Sequence, residues 1–216
     1  MIRPNNKESD WIQLAQNSIA KAEREESKLH GDVLSIEGMS SPKVKHLMNN
    51  LCSEPFVKYL EIGCWRGSTF IPALFGNTVE AIAIDNLTQD KNPELQHNAF
   101  ASNIKRFIPD TNFKLYETDC FSIDKSIFTS KINVYFYDGD HTQKGHESAF
   151  TFFNEVFDDV FVAVVDDWNW SDTQNGTYSA FKKLNYNVLF EKSLLTPHNC
   201  DTSSWWNGIY VSVIKK

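Results

Sequence analysis

The side chains best suited to chemistry fall in five short stretches. Gly63-Cys64-Trp65-Arg66-Gly67-Ser68-Thr69 sets two glycines in a loop after an apolar run that ends at Ile62. Glycine accepts left-handed backbone and lets a main chain come close to a ligand, so such a loop suits the edge of a binding crevice. A second run ends Ala83-Ile84-Asp85, and a third ends Glu117-Thr118-Asp119-Cys120-Phe121. A carboxylate at the first of these tips can accept both hydroxyls of a ribose. An acid beside an aromatic ring, as at the second, can receive the amino group and ring of adenine. The fourth run ends Tyr137-Asp138-Gly139-Asp140-His141 and the fifth Val165-Asp166-Asp167. As neighbours, Asp138, Asp166 and Asp167 would repel one another and acquire raised pKa values unless a cation neutralised them. A hard divalent ion fits, Mg²⁺ before zinc, because all the ligands are oxygens and room is left for water or substrate. Such an ion lowers the pKa of a substrate hydroxyl and fixes its oxygen, and His141 is a side chain able to take the proton near neutral pH.

Each feature also has a plainer reading: glycines in a tight turn, aspartates as helix caps or solvated strand ends, a histidine in a surface loop. Three nucleoside-type features at successive strand ends are what favour the chemical reading. Asp140 stands second to Asp138, since its side chain points away if that of Asp138 points in. His97 and His146 read as ordinary polar residues, whereas His198 sits in a late loop able to cover a substrate. Trp168, Trp170, Trp205 and Trp206 either wall the mouth of the crevice or pack in the core. Cys64 and Cys120 have no adjacent His or Lys to activate a thiolate.

These residues need a scaffold that brings strand ends together. Strand-like runs occur at residues 56–62, 79–85, 113–119, 132–138, 160–166, 188–191 and 209–214, several of them almost continuously apolar. Continuous runs are what strands covered on both faces look like. Helix-like stretches separate the first five, among them residues 98–107 and 146–157, which implies an α/β, doubly wound, mostly parallel sheet. No helical segment separates the last two runs, so an antiparallel pair should end the chain. Ahead of the sheet, apolar spacing predicts an amphipathic helix from Trp11 to about Leu29 and a second from Ser41-Pro42 through Leu51. The expectation is one domain over 1–216, with 1–52 as a helical lead-in.

Composition narrows the partners. The 216 residues are 41% hydrophobic and 23% charged, with a net charge of −7 and no basic cluster, so nucleic acid and anionic membrane are poor candidates. The longest apolar run, residues 160–165, is far too short to span a bilayer, and residues 1–6 carry no apolar signal core. The expectation is therefore a cytoplasmic protein. Its four cysteines form no C-x-x-C pair, against a disulfide framework or zinc knuckle. The N-terminal helix is placed either to cover the site or to bind a second copy in a homodimer.

Glu61-Ile62-Gly63-Cys64-Trp65-Arg66-Gly67, with Asp85 ending the next strand, resembles motif I and the second-strand acid of class I S-adenosylmethionine-dependent methyltransferases. The resemblance covers about residues 35–214 and is greatest to the metal-dependent small-molecule O-methyltransferases of the catechol, caffeoyl-CoA and macrolide-sugar type. Ile36-Glu37-Gly38-Met39 is similar to their lead-in. The resemblance implies a seven-stranded sheet with an antiparallel terminal strand and methyl transfer to the oxygen of a small hydroxylated metabolite. It also implies S-adenosylmethionine held by Glu61, Gly63, Gly67 and Ser68, with Asp85 on the ribose, Asp119, Cys120 and Phe121 around adenine, and Met39 nearby. Asp138, Asp166 and Asp167 fall on the metal positions, and His141 stands where the catechol-type enzymes carry a proton-accepting lysine.

Two other classes compete. A nicotinamide-dependent oxidoreductase is disfavoured because G-x-G-x-x-G is missing. A non-catalytic nucleoside-binding module would bind the nucleoside with indifference to Mg²⁺.

Overall fold

The computed structural model describes residues 7–216; residues 1–6, which bear on the expectation of no signal core, lie outside the described residues. The chain runs α1 (Glu8–Glu23), α2 (Gly31–Leu34), α3 (Pro42–Leu51), β1 (Lys58–Ile62), α4 (Phe70–Leu74), β2 (Glu80–Asp85) and α5 (Pro93–Phe107). It continues with β3 (Phe113–Glu117), β4 (Ile132–Tyr137), α6 (Gln143–Phe153), β5 (Phe157–Val165), α7 (Ser171–Leu184), β6 (Asn187–Leu194) and β7 (Ile209–Lys215). The strands form one seven-stranded sheet in the order β3-β2-β1-β4-β5-β7-β6. Pairing is parallel from β3 to β5, and β7 alone runs antiparallel to its neighbours β5 and β6.

Alternation along each strand divides the core into two layers. Tyr59, Val134, Phe136, Val162 and Val164 face α1, α3 and α4, while Leu60, Tyr135, Tyr137, Ala163 and Val165 face α6 and α7. Both faces are covered, which is why β4 is buried at every residue and reads as a continuous apolar run.

Several elements differ in extent from the sequence expectation, and three of them show why. Helix α1 stops at Glu23 because Glu25 turns left-handed (φ 54°) and Glu26 N–H closes back on the Lys21 carbonyl at 2.9 Å. The chain beyond is then tied down by α3, whose Asn50 side chain donates to the Glu26 carbonyl at 2.8 Å. Helix α6 starts at Gln143, capped by Thr142 Oγ1 accepting from Gly145 N–H, and it stops at Phe153 because Phe157 is already paired with Ile132. Helix α7 has no counterpart in the expectation. It is the crossover that β6 requires, since β6 runs in the same direction as β5. The start of α3 follows the expectation, with Ser41 Oγ accepting from Val44 N–H and Pro42 in the first turn.

Register is what builds the site. The parallel ladder continues one residue beyond the strands: Gly63 N–H donates to the Ile84 carbonyl at 3.0 Å, Asp138 N–H to Ile62 at 2.9 Å, and Asp166 N–H to Tyr137 at 3.1 Å. Four strand tips are thereby set edge to edge. Crossovers leave β1 and β4 in opposite directions, so the β1/β4 boundary is the switch point where open sheets bind ligands.

Candidate functional site

The loop after β1 is shaped by its glycines. Gly63 has φ 81°, and a Cβ there would lie 1.9 Å from the Asp138 carbonyl oxygen, so the β1 and β4 tips could not meet around any other residue. Gly67, at φ 84°, packs against Ile71 and Phe100, where a Cβ would come within 2.7 Å of Ile71 Cδ1. Trp65 is also left-handed (φ 42°), which aims its N–H at Asp85 Oδ2, 2.7 Å away.

Asp85 is clamped before any ligand arrives. Its Oδ1 accepts from Leu87 N–H at 2.7 Å and from Gln96 Nε2 at 2.8 Å, whereas among the described residues Oδ2 has the Trp65 donor alone. A carboxylate oxygen has two acceptor positions, so Oδ2 retains one for a hydroxyl. Asp85 lines a cavity of about 190 Å³, together with Gly63, Trp65, Asp119, Cys120 and Phe121 on one side and Asp138, Asp140 and His141 on the other. Met39 reaches its rim from the lead-in, where its sulfur lies 3.8 Å from Gln89 Nε2.

The structure gathers most of the cofactor set around this cavity but turns three members away from it. Glu61 is buried beneath the loop, where it accepts from Thr69 Oγ1 at 2.6 Å and from the Tyr59 hydroxyl. Burial pushes its carboxyl up to about 8. Gly67 and Ser68 pack inward; Ser68 lies so close to Gly38 that a Cβ on the glycine would overlap its hydroxyl. On the cavity wall, Asp119 is itself a cap, accepting from Phe121 N–H at 3.0 Å, so the plain and the functional readings coexist in one residue. Burial pushes the Cys120 thiol up to about 12, which leaves it inert as a nucleophile.

At the other end, His141 Nε2 stands 3.3 Å from Asp138 Oδ1 and 3.1 Å from Asp167 Oδ2. Potential ligand atoms of Asp138, His141 and Asp167 all lie within 4.8 Å of one another. Asp166 does not join that group; it is buried behind it, with Oδ1 accepting from Asp167 N–H at 2.8 Å. Burial first, and Asp138 second, push the Asp167 carboxyl up to about 6 and the Asp166 carboxyl well above its usual range. The hydrogen bond to Asp138 raises His141, with Asp167 adding to it. Asp140 accepts from Thr142 N–H and Oγ1, each at 3.0 Å, so its carboxylate holds the residue that caps α6 and is spent locally.

Among the other singled-out residues, His146 is buried against Tyr137 with neither ring nitrogen paired, and burial lowers it to about 4. His97 bonds Glu117, and His198 is exposed. Trp168 stacks on Tyr210 at 4.1 Å and Trp205 is buried with Nε1 on Glu23 Oε1 at 3.0 Å, so both are packing residues. Trp170 alone touches the acidic end, edge-on to His141 at 5.2 Å. Three contributors escaped the sequence reading: Trp65 and Gln96, which fix Asp85, and Asn207, whose Nδ2 donates to Asp167 Oδ1 at 2.6 Å. Only Trp65 carried a signal, its place inside the glycine loop.

No protein-family model matches the chain, and no curated protein matches it. Solved structures do. An O-methyltransferase from Bacillus cereus in complex with SAH is similar at a TM-score of 0.59 and 13% identity, over 98% of this chain and 93% of that one. The O-methyltransferase TomG from Streptomyces achromogenes, involved in tomaymycin synthesis and solved with SAM, gives 0.55 at 16% identity, over 94% and 90%. TrmN from Thermus thermophilus gives 0.59 at 11% identity over 86% of this chain, which spans only 52% of that one. At such identities the likeness shows the fold, a Rossmann-like methyltransferase sheet, and nothing finer. Among the described residues no helix is long and apolar enough to cross a membrane.

Proposed function

We propose that this chain is an S-adenosylmethionine-dependent methyltransferase acting on a hydroxyl of a small metabolite with the help of a divalent cation, Mg²⁺ by preference. One observation carries the reading: a single cavity runs from the Asp119–Phe121 turn past Asp85 and Gly63 to Asp138 and His141, with Asp167 next to them. A nucleoside at one end thus faces an acidic cluster at the other. The donor set suits a hard cation, since Asp138 and Asp167 offer converging oxygens whose mutual repulsion is otherwise offset only in part, by His141 and the Asn207 hydrogen bond. When bound, S-adenosylmethionine supplies an activated methyl group and the cation acidifies a nearby hydroxyl.

The chain's own residues bind, orient and move a proton. Oδ2 of Asp85 has one free acceptor position for a ribose hydroxyl, and the Asp119–Phe121 turn provides an edge and a ring for adenine. Asp138 and Asp167 would hold the cation, and Asp166 backs them through the Asp167 amide. His141, whose Nε2 stands beside both carboxylates, would accept the acceptor's proton. Trp170, against the His141 ring, would shield that end from water. The net charge of −7 supports a small acceptor over a nucleic acid.

Calorimetry with S-adenosylhomocysteine and with NAD, followed by methyl transfer to a panel of phenols, sugars and hydroxylated acids with Mg²⁺ or EDTA, tests the reading. Tight binding of the nucleoside thioether and Mg²⁺-dependent transfer are expected. Binding of NAD in its place would replace the reading with hydride transfer, and nucleoside binding with no turnover on any acceptor class would favour a regulatory module.

A further inference from the structure

Asp167 depends on a residue far along the chain. Asn207, buried at 7% exposure, donates from Nδ2 to Asp167 Oδ1 at 2.6 Å. Its amide cannot flip, because Oδ1 accepts from Cys200 N–H at 2.7 Å, and its main-chain carbonyl accepts from Asn169 N–H at 2.8 Å. The next residue, Gly208, accepts from Trp168 N–H at 3.0 Å and approaches Asn169 so closely that a Cβ would lie 2.6 Å from its Oδ1. Asn169 in turn donates to the Thr196 carbonyl at 3.1 Å and to its Oγ1 at 2.8 Å. The turn at 167–169 and the segment joining β6 to β7 are therefore interlocked.

A free carboxylate rotates readily about its terminal torsion, whose preference is broad. With Oδ1 held by Asn207, Asp167 cannot rotate without breaking a buried bond, and Oδ2 is the oxygen left facing His141 and Asp138. We propose that Asn207 is a positioning residue: it fixes the Asp167 carboxylate so that Oδ2 is presented to the cation, without itself touching cation, cofactor or acceptor. This rests on the reading of Asp138 and Asp167 as cation ligands. Hydrogen-bond partners of ligating side chains typically change metal affinity by about 10- to 100-fold.

The test uses the full chain and Mn²⁺ as probe, with affinities read by calorimetry for wild type, Asn207→Ala and Asn207→Leu. Leucine keeps the volume but donates nothing. Mn²⁺ should bind both variants about 10- to 100-fold more weakly than wild type, while metal-free affinity for S-adenosylhomocysteine stays unchanged. A variant that keeps the nucleoside affinity and binds Mn²⁺ as tightly as wild type overturns the role of Asn207 and leaves the cation reading standing. A wild-type chain that binds no Mn²⁺ overturns both. Should neither variant fold, ¹⁵N spectra of wild type decide: Mg²⁺ must shift the Asn207 side-chain amide, and an unmoved resonance overturns the proposal.

Discussion

Burial holds the Glu61 carboxyl protonated at neutral pH, poised between Tyr59 and Thr69 under the loop that carries Gly63. In the unfolded chain it ionises near 4.5, and in the folded chain near 8. Over that window the native state keeps a proton that the unfolded state has released, so stability is full below the lower value and falls as pH rises through the upper one. Glu61→Gln should flatten this decline. Urea unfolding in EDTA at pH 5, 6, 7 and 8 measures it, and parallel wild-type and variant curves would contradict the assignment. Asp85→Ala removes an open acceptor on the cavity wall that Gly63 shares and should weaken S-adenosylhomocysteine binding by about 10-fold or more, as loss of a charge-assisted hydrogen bond of about 1.5–3 kcal/mol implies. Calorimetry reads it, and unchanged affinity would mean that the nucleoside lies elsewhere. At this scale the sequence displayed Gly63, Asp85, Asp138 and His141, because each sits at a strand end. It concealed Asn207 and Gln96, whose partners are remote in the chain and whose amides carry no spacing signal. Glu61 misled for a related reason: its neighbours line the cavity, but strand alternation turns its own side chain beneath the loop.

Elements differ in how openly they declare themselves. The strands were legible because a core covered on both faces demands long apolar runs, and Ser41-Pro42 declared a helix start by chemistry alone. The ends of α1 and α6 were not legible, since a left-handed Glu25 in one case and the pairing of Phe157 in the other decide them. Helix α7 hid behind a polar sequence with a glycine at its middle. That glycine has a packing reason: a Cβ on Gly176 would lie 2.2 Å from the Gln143 carbonyl oxygen and 2.7 Å from His146 Cβ. Gly176→Val should therefore force α7 off α6 and destabilise the fold by about 1–3 kcal/mol or more, as overpacked contacts do. Thermal unfolding would register it as a lower melting temperature, and a variant as stable as wild type would show the interface to be looser than described.

For the molecule as a whole, a doubly wound sheet with right-handed crossovers and an antiparallel end was legible in the sequence, whereas the strand order, with its switch of direction after β3 and β7 lying between β5 and β6, was not. What the sequence could not display is which tips share a register, and register alone decides that Asp138 meets Asp167 while Asp166 drops behind. Gathering carboxylates costs the folded state unless something positive joins them. Mg²⁺ should thus raise the melting temperature of wild type, by an amount equivalent to about 2.7 kcal/mol at 100 times its dissociation constant. The double variant Asp138→Asn, Asp167→Asn should lose that rise yet match or exceed wild type in EDTA. Asparagine accepts the left-handed backbone of position 167 and can still take the Asn207 hydrogen bond. Differential scanning fluorimetry distinguishes these outcomes, and an equal response of both proteins to Mg²⁺ would place the ion elsewhere.

The segment joining β6 to β7 is riveted at both ends, by Thr196 on Asn169 and by Trp205 and Asn207 on Glu23 and Asp167, while residues 197–200 and 202–203 between them stand in solvent. Fixed margins around a free crown make an interchangeable cassette. Side chains at 197–199 and 202–203 can be exchanged, by drift or by grafting, with the acidic floor undisturbed so long as the Cys200 amide stays on Asn207.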